Sequence, residues 1–210
     1  MNLPWHRFHF IGIGGVGMSR LAHLLLALGY QVSGSDISVN PLIERLKNFG
    51  GRVFLGHNAE QIKDAQVVIY SSAIKDDNPE LEAAKVKKIP IFSRGELLAL
   101  FMAQKNGIAV AGTHGKTTTT AMIATILREA GLNPTAIIGG QIEGYGPNAW
   151  LGKGKYLVAE ADESDGTFLL LEPEIAVVTN IDVDHLDYYK DINTIKTAFT
   201  QFLTQAKQIA

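Results

Sequence analysis

Cysteine is absent from the 210-residue chain. That excludes disulfides, thiolate zinc sites and a cysteine nucleophile, and it fits a reducing compartment, so a cytoplasmic location is expected. No charge of one sign dominates: 19 Lys and Arg stand against 21 Asp and Glu, a formal net charge of −2. The chain has neither the basic excess of a nucleic-acid binder nor an acidic tail, and no nucleic-acid partner is expected. Apolar runs such as Leu97–Ala103 fall far short of the ~20 residues that span a bilayer, so no membrane insertion is expected. The apolar start around Phe10–Met18 lacks a small-residue cleavage pattern and runs unbroken into a helical pattern, which argues against a signal peptide. What is present suffices for a core: 46% of residues are hydrophobic and 19% charged. Glycine is plentiful, 21 residues against a usual ~7%, and the positions of those glycines are informative.

Apolar runs alternate with helical spacing almost from end to end. Strands are expected at His9–Ile13, Gln31–Ser35, Arg52–Leu55, Gln66–Tyr70 and Ile89–Phe92, and helices at Val16–Leu28, from Pro41 to about Phe49, and at Gly95–Gln104. A second series follows Lys105-Asn106-Gly107. Strands are expected at Ile108–Ala111, Thr135–Ile138, Tyr156–Ala159 and Ile175–Asn180, and helices at Lys116–Ala130 and Ile192–Ala206. Such alternation predicts βαβ units: an α/β chain with a Rossmann-like parallel-sheet region over residues 1–104 and a P-loop-type α/β region, incomplete, over 105–210. No internal repeat or long linker separates the two.

Gly12-Ile13-Gly14-Gly15-Val16-Gly17 fits G-x-G-x-x-G between an expected strand and helix, the context that gives this pattern meaning. Glycines there permit a tight turn and let backbone approach a diphosphate at a helix N-terminus. Asp36 closes the next strand about 20 residues on, where a Rossmann acid meets a ribose hydroxyl; a turn or cap before Pro41 is its plainer role. A redox dinucleotide would need the second half of that fold, and the next phosphate motif arrives too soon for it. The first region therefore suits a nucleotide-linked substrate better.

That next motif is the sharpest signal in the chain: Ala111-Gly112-Thr113-His114-Gly115-Lys116-Thr117-Thr118. Backbone N–H groups of such a loop cradle phosphates, Lys116 reaches the β and γ phosphates, and the Thr117 hydroxyl suits Mg²⁺. The strict pattern has glycine where this chain has Val110, so the loop is a variant. Glu160-Ala161-Asp162-Glu163-Ser164-Asp165 then ends a strand with acids, one of which suits Mg²⁺. Asp182-Val183-Asp184-His185 ends another; spacing alone leaves His185 open as a ligand of a second divalent ion, a phosphate contact or a cap. His6, His9, His23 and His57 receive no role from spacing. Trp5, Trp150 and Leu169–Leu171 read as packing, and Lys85, Lys87 and Lys88 as a solvated face.

Six stretches in order resemble the Mur ligases: Phe10–Ser19, Ser33–Asp36, Ser71–Ile74, Ala111–Thr120, Ala159–Asp165 and Thr179–His185. The resemblance covers essentially the whole chain and is strongest to the members that join L-alanine to UDP-N-acetylmuramate. It implies an ATP-dependent amide-forming ligase of peptidoglycan synthesis that activates a carboxylate as an acyl phosphate. It implies that Gly12, Gly14, Gly15, Val16 and Gly17 hold the UDP diphosphate, with Asp36 and Ser71 near the nucleoside end and Arg94 near the domain junction. It assigns ATP to Gly112, Thr113, His114, Gly115, Lys116, Thr117 and Thr118, and Mg²⁺ to Thr117 and Glu160. His185 serves a second metal near the substrate carboxylate, and Lys116 and His185 are the catalytic pair. No lysine matches the carbamylated metal ligand some members carry. The family continues beyond the point matching Ala210, so the chain is expected to bind the UDP sugar without turnover of its own. A recycling ligase that attaches a peptide to the same UDP sugar, and an NAD(P)-dependent oxidoreductase, are the alternatives.

Overall fold

The strand that leads into the first glycine loop is buried on both faces, as befits the centre of a parallel sheet covered on each side. This is β1 (Arg7–Ile11), followed by α1 (Val16–Ala27), β2 (Gln31–Asp36), α2 (Pro41–Asn48), β3 (Arg52–Leu55), β4 (Val67–Tyr70), α3 (Pro79–Val86), β5 (Ile91–Ser93) and α4 (Arg94–Met102). The computed structural model describes residues 1–139, 149–184 and 188–210. The chain divides into two compact units, Met1–Leu97 and Leu98–Ala210.

In the first unit the strands are all parallel, in the order β3-β2-β1-β4-β5. The order reverses beside β1, so the loop after β1 lies at a topological switch point, where open α/β sheets bind ligands. Phe8, Phe10 and Ile11 of β1 and Val67, Val68 and Ile69 of β4 are buried. Leu21, Leu24 and Leu25 of α1 and Ile43 and Leu46 of α2 are buried as well. At Gly34 of β2 the sheet has no room for a side chain. A Cβ there would stand 2.6 Å from both the Phe10 carbonyl oxygen and Ile13 Cδ1.

The second unit contains β6 (Asn106–Ala111), α5 (Lys116–Glu129), β7 (Thr135–Ile137), β8 (Ala149–Trp150), β9 (Tyr156–Glu160), β10 (Ile175–Val178), α6 (Ile192–Thr204) and β11 (Gln208–Ile209). The order is β11-β10-β6-β9-β7-β8. All pairs are parallel except β7 with β8. Central β6 runs into the second glycine loop, again where strand order reverses. The α/β class and the parallel sheets agree with the sequence reading.

Three elements are additions to it. α3 is announced by a capping Asn78 and a proline at its first position, which the charged composition of the segment obscures. The two-residue strands β8 and β11 are too short to show a periodicity. The two compact units meet within α4, at Leu97/Leu98. The end of α4 is part of the second core, where the Met102 side chain packs directly against Gly107 of β6. Among the described residues no helix is long and apolar enough to cross a membrane.

Gly34→Ala is expected to destabilise the first unit by about 1–3 kcal/mol, because the neighbour a Cβ meets is backbone and cannot yield. Thermal unfolding checks this; an unchanged melting temperature would contradict it.

Candidate functional site

Gly12 turns the chain at the end of β1 with a φ of 80°. Its amide and that of Ile13 donate to the Ser35 carbonyl at 2.9 and 3.0 Å, and the Gly15 amide donates to the Gly12 carbonyl at 3.2 Å. The Gly14 amide donates to Asp36 Oδ2 at 2.8 Å. Asn40 Nδ2 donates to the Gly14 carbonyl at 3.1 Å, while its Oδ1 accepts from Leu42 and Ile43 and caps α2. A Cβ on Gly14 would stand within 2.9 Å of Asp36, Asn40 and Ile43, so only glycine fits. Gly17 likewise leaves room for Arg94, whose Cδ a Cβ would approach to 2.9 Å. Gly12, Gly14, Gly15, Asp36 and Ser71 line one cavity of about 360 Å³, together with His57 and Ile74.

The loop amides are therefore engaged in building the turn itself. The donors left over are those of the first turn of α1, Val16, Gly17 and Met18, which have no intrahelical acceptor.

The second loop repeats this logic. Gly115 adopts a φ of 82° immediately before α5, and Gly112, at 132°, lies against Thr179 and the backbone of Asn180. Asn180 grips the loop from the end of β10. Its Oδ1 accepts from the His114 amide at 3.0 Å, its Nδ2 donates to the His114 carbonyl at 2.8 Å, and its carbonyl accepts from the Thr113 amide at 3.2 Å. Thr179 Oγ1 also donates to the His114 carbonyl, at 2.6 Å. The first-turn amides of Lys116, Thr117 and Thr118 again lack intrahelical acceptors.

The other α-helices are capped by side chains. Asn40, Asn78 and Asp191 cap α2, α3 and α6. Ser93 and Glu96 form a reciprocal capping box at α4, with Ser93 N donating to Glu96 Oε2 at 2.6 Å and Glu96 N donating to Ser93 Oγ at 3.2 Å. Among the α-helices of the described residues, only α1 and α5 start on glycines without a side-chain cap, and neither has an acid in its first turn. Free amides and an uncompensated positive dipole end are what an anion needs.

The acidic stretch after β9 divides by task. Asp162 and Asp165 close local turns onto Ser164 and Thr167. Glu163 is buried, and its Oε1 accepts from Lys116 Nζ at 2.6 Å; Nζ also donates to the Gly112 carbonyl at 2.6 Å. Tyr189 donates to the Glu163 carbonyl at 2.7 Å. Burial, reinforced by Tyr188 and the nearby acids, pushes the Tyr189 phenol well above its usual range and keeps it a donor. Glu160 ends β9 in register with Val110 of β6, just before the loop, and accepts from the Gly139 amide. His185 lies outside the described residues.

Sequence reasoning missed the gripping role of Asn180, the partnership of Glu163 with Lys116, and a buried cluster beneath the first loop. Glu80 of α3, fully buried, accepts from Ser35 Oγ at 2.5 Å and lies 3.1 Å from His57 Nδ1 and 3.4 Å from His9 Nε2. Burial pushes its carboxyl up, but the contacts of His9 and Ser35 and the fields of His9 and His57 outweigh it, and the net direction is down. Ser35 is the same residue whose carbonyl holds Gly12 and Ile13. No spacing rule joins positions 9, 35, 57 and 80.

Two sequence profiles match, "Mur ligase family, catalytic domain" over residues 7–106 and "Mur ligase middle domain" over 110–210. A ligase structure from Neisseria meningitides, named UDP-N-acetylmuramate:L-alanyl-gamma-D-glutamyl-meso-diaminopimelate ligase, superposes with a TM-score of 0.88. It is 32% identical over 96% of this chain and 68% of its own. The chain belongs to the Mur ligase family. Within that family it is 57% identical over 199 residues to the UDP-N-acetylmuramate–L-alanine ligase of Geotalea uraniireducens, covering 95% of this chain and 43% of that protein. The enzyme of the same name from Aquifex aeolicus is also 57% identical, over 94% of this chain and 43% of its own. The structure of UDP-N-acetylmuramate–alanine ligase from Thermotoga maritima matches with a TM-score of 0.88 at 34% identity, over 97% of this chain and 48% of that one. This Mur ligase chain thus spans less than half the length of the curated relatives it matches.

Because the folded-state carboxyl of Glu80 lies below its ordinary value of 4.5, its contribution is complete above that pH and is lost as pH falls through the folded value. Glu80→Gln should therefore flatten the acid limb of the melting-temperature profile below pH 4.5. Parallel acid limbs in the two proteins would contradict this.

Proposed function

We propose that this chain is the substrate- and phosphate-binding part of an ATP-dependent ligase that joins L-alanine to the carboxylate of UDP-N-acetylmuramate in peptidoglycan synthesis. The observation that carries the reading is that, among the described residues, the two α-helices without side-chain caps are the two that follow the glycine loops. The relatives named for this reaction, each 57% identical, support the choice of substrates. The cysteine-free composition is consistent with the cytoplasm, where these substrates are made available.

In this reading the first unit holds the UDP sugar. Its diphosphate rests on the first-turn amides of α1, with Gly12, Gly14, Gly15 and Gly17 permitting close approach, Arg94 beside Gly17, and Asp36 and Ser71 in the same cavity. The second unit holds the ATP phosphates on Lys116 and on the first-turn amides of Lys116, Thr117 and Thr118, with Gly112, Thr113, His114 and Gly115 forming the loop that surrounds them. The donor set suits Mg²⁺: a threonine hydroxyl at the helix start and a carboxylate, Glu160, at the end of the neighbouring strand are hard oxygen ligands. When bound, Mg²⁺ would neutralise phosphate charge. His185 stays assigned to a second metal near the substrate carboxylate, on the family resemblance alone.

The chemistry asks little covalent work of the protein. A carboxylate oxygen attacks the γ-phosphorus and ADP leaves; the amine nitrogen then attacks the acyl carbon, loses a proton, and phosphate departs. Lys116 and the α5 amides hold and neutralise the transferring phosphoryl group, which is where such catalysis resides. Lys116 is already aimed at the loop and is paired with Glu163 until phosphate oxygens replace that partner.

Calorimetric titration tests the reading. The chain should bind UDP-N-acetylmuramate and give no response to NADH. Lys116→Ala should weaken binding of a non-hydrolysable ATP analogue roughly ten- to a hundredfold, the loss of a charge-assisted contact, and leave UDP-sugar binding unchanged. Tight NADH binding without a response to the UDP sugar would overturn the reading. Equal loss of both ligands in the variant would overturn the division of labour.

A further inference from the structure

We infer that His57 is a hydrogen-bond acceptor for the nucleoside end of the UDP substrate, held in that role by the buried carboxylate of Glu80. The inference rests on the proposed function, since it places UDP in the cavity of the first unit.

The argument is one of donors and acceptors. An ionised carboxylate only accepts, so the Ser35 hydroxyl, 2.5 Å from Glu80 Oε2, must donate to it. The lone pairs of Ser35 Oγ then face His57 Nδ1 at 2.9 Å, and Glu80 Oε2 itself lies 3.1 Å from the same nitrogen. Both neighbours accept, so Nδ1 carries the hydrogen. In the neutral ring Nε2 is then left with a lone pair. The other carboxylate oxygen, Oε1, lies 3.4 Å from His9 Nε2 and faces the Gln61 amide, which, oriented with its nitrogen inward as the surrounding acceptors require, donates to it at 2.6 Å and to the Gly56 carbonyl at 3.3 Å. The carboxylate is thus fixed on both oxygens, and it fixes the ring.

The His57 side chain is 15% exposed and lines the cavity shared with the glycine loop and Asp36. Among the described residues Nε2 has no protein partner. A lone pair at that position repels phosphate oxygens and suits a ligand donor. His57 follows β3, which lies beyond β2 on the side away from β4. A diphosphate at the β1 turn with its ribose toward the end of β2 puts the nucleoside on this side. The donors available there are the ribose hydroxyls and the uracil N–H. Glu80 is a positioning residue: it touches no ligand and acts through the ring.

Titrations with UDP and with UDP-N-acetylmuramate, on the 210-residue chain and on His57→Asn, test this. Asparagine can keep the inward-facing donor while removing Nε2. Affinity for both ligands should fall roughly three- to tenfold, the worth of one hydrogen bond. In parallel, long-range ¹H–¹⁵N spectra should show His57 as the Nδ1–H tautomer, with the Nε2 resonance moving when UDP is added. In Glu80→Gln that tautomer preference should be lost. An unchanged affinity in a folded His57→Asn would overturn the inference and leave the proposed function standing. So would a loss confined to UDP-N-acetylmuramate, which would put the contact on the sugar. If the unaltered chain binds neither ligand, the proposed function falls and this inference with it. Should His57→Asn fail to fold, the spectra of the unaltered chain decide: a still Nε2 resonance overturns the inference and a moving one upholds it.

Discussion

The proposed function depends on backbone amides left without intrahelical partners in the first turns of α1 and α5. A helix start leaves its first N–H groups unsatisfied, and proteins usually answer with a side-chain cap. Here α2, α3, α4 and α6 do so, through Asn40, Asn78, the Ser93–Glu96 pair and Asp191. α1 and α5 start on Gly15 and Gly115, which have no side chain to offer. The glycines serve twice over, by allowing the turn and by leaving amides free for an external anion.

The loops reach this state by similar means. Each is pinned from the side by a neighbouring strand end. Ser35 and Asp36 after β2 hold the first, and Thr179 and Asn180 after β10 hold the second. Pinning engages the loop's own polar groups, so the turn is rigid before any ligand arrives, and preorganisation of this kind reduces the ordering cost of binding. The second loop also contains a built-in countercharge. Glu163 compensates Lys116 in a largely buried pair whose two charges would be costly apart. In the proposed function, a phosphate that takes over Lys116 would compete with a carboxylate already in place, which favours ligands of high charge.

Much of this was legible in the sequence, and the boundary of legibility has a physical cause. Local rules found the two loops, because strand, glycine turn and helix are contiguous. Element positions followed where apolar periodicity was strong, as in β1, α1 and α5. α3 escaped because its evidence is a cap and a proline, not a stripe. The site was less legible than the fold, since its supporting contacts join residues far apart in sequence. Asn180 meets His114, Glu163 meets Lys116, and Glu80 meets Ser35 and His57 only once parallel strands have aligned. The acidic stretch after β9 shows the same limit: composition offered four equivalent carboxylates, and packing turned Asp162 and Asp165 into turn caps and Glu163 into a lysine partner.

The central claim is that first-turn amides, not the glycine amides before them, receive the phosphates. Backbone ¹H–¹⁵N shifts of the chain, followed during separate additions of UDP and of a non-hydrolysable ATP analogue, test it most directly. The account predicts that UDP moves Val16, Gly17 and Met18 and that the analogue moves Lys116, Thr117 and Thr118. Large shifts confined to Gly12–Gly14 and Thr113–His114, or both ligands moving the same loop, would contradict it.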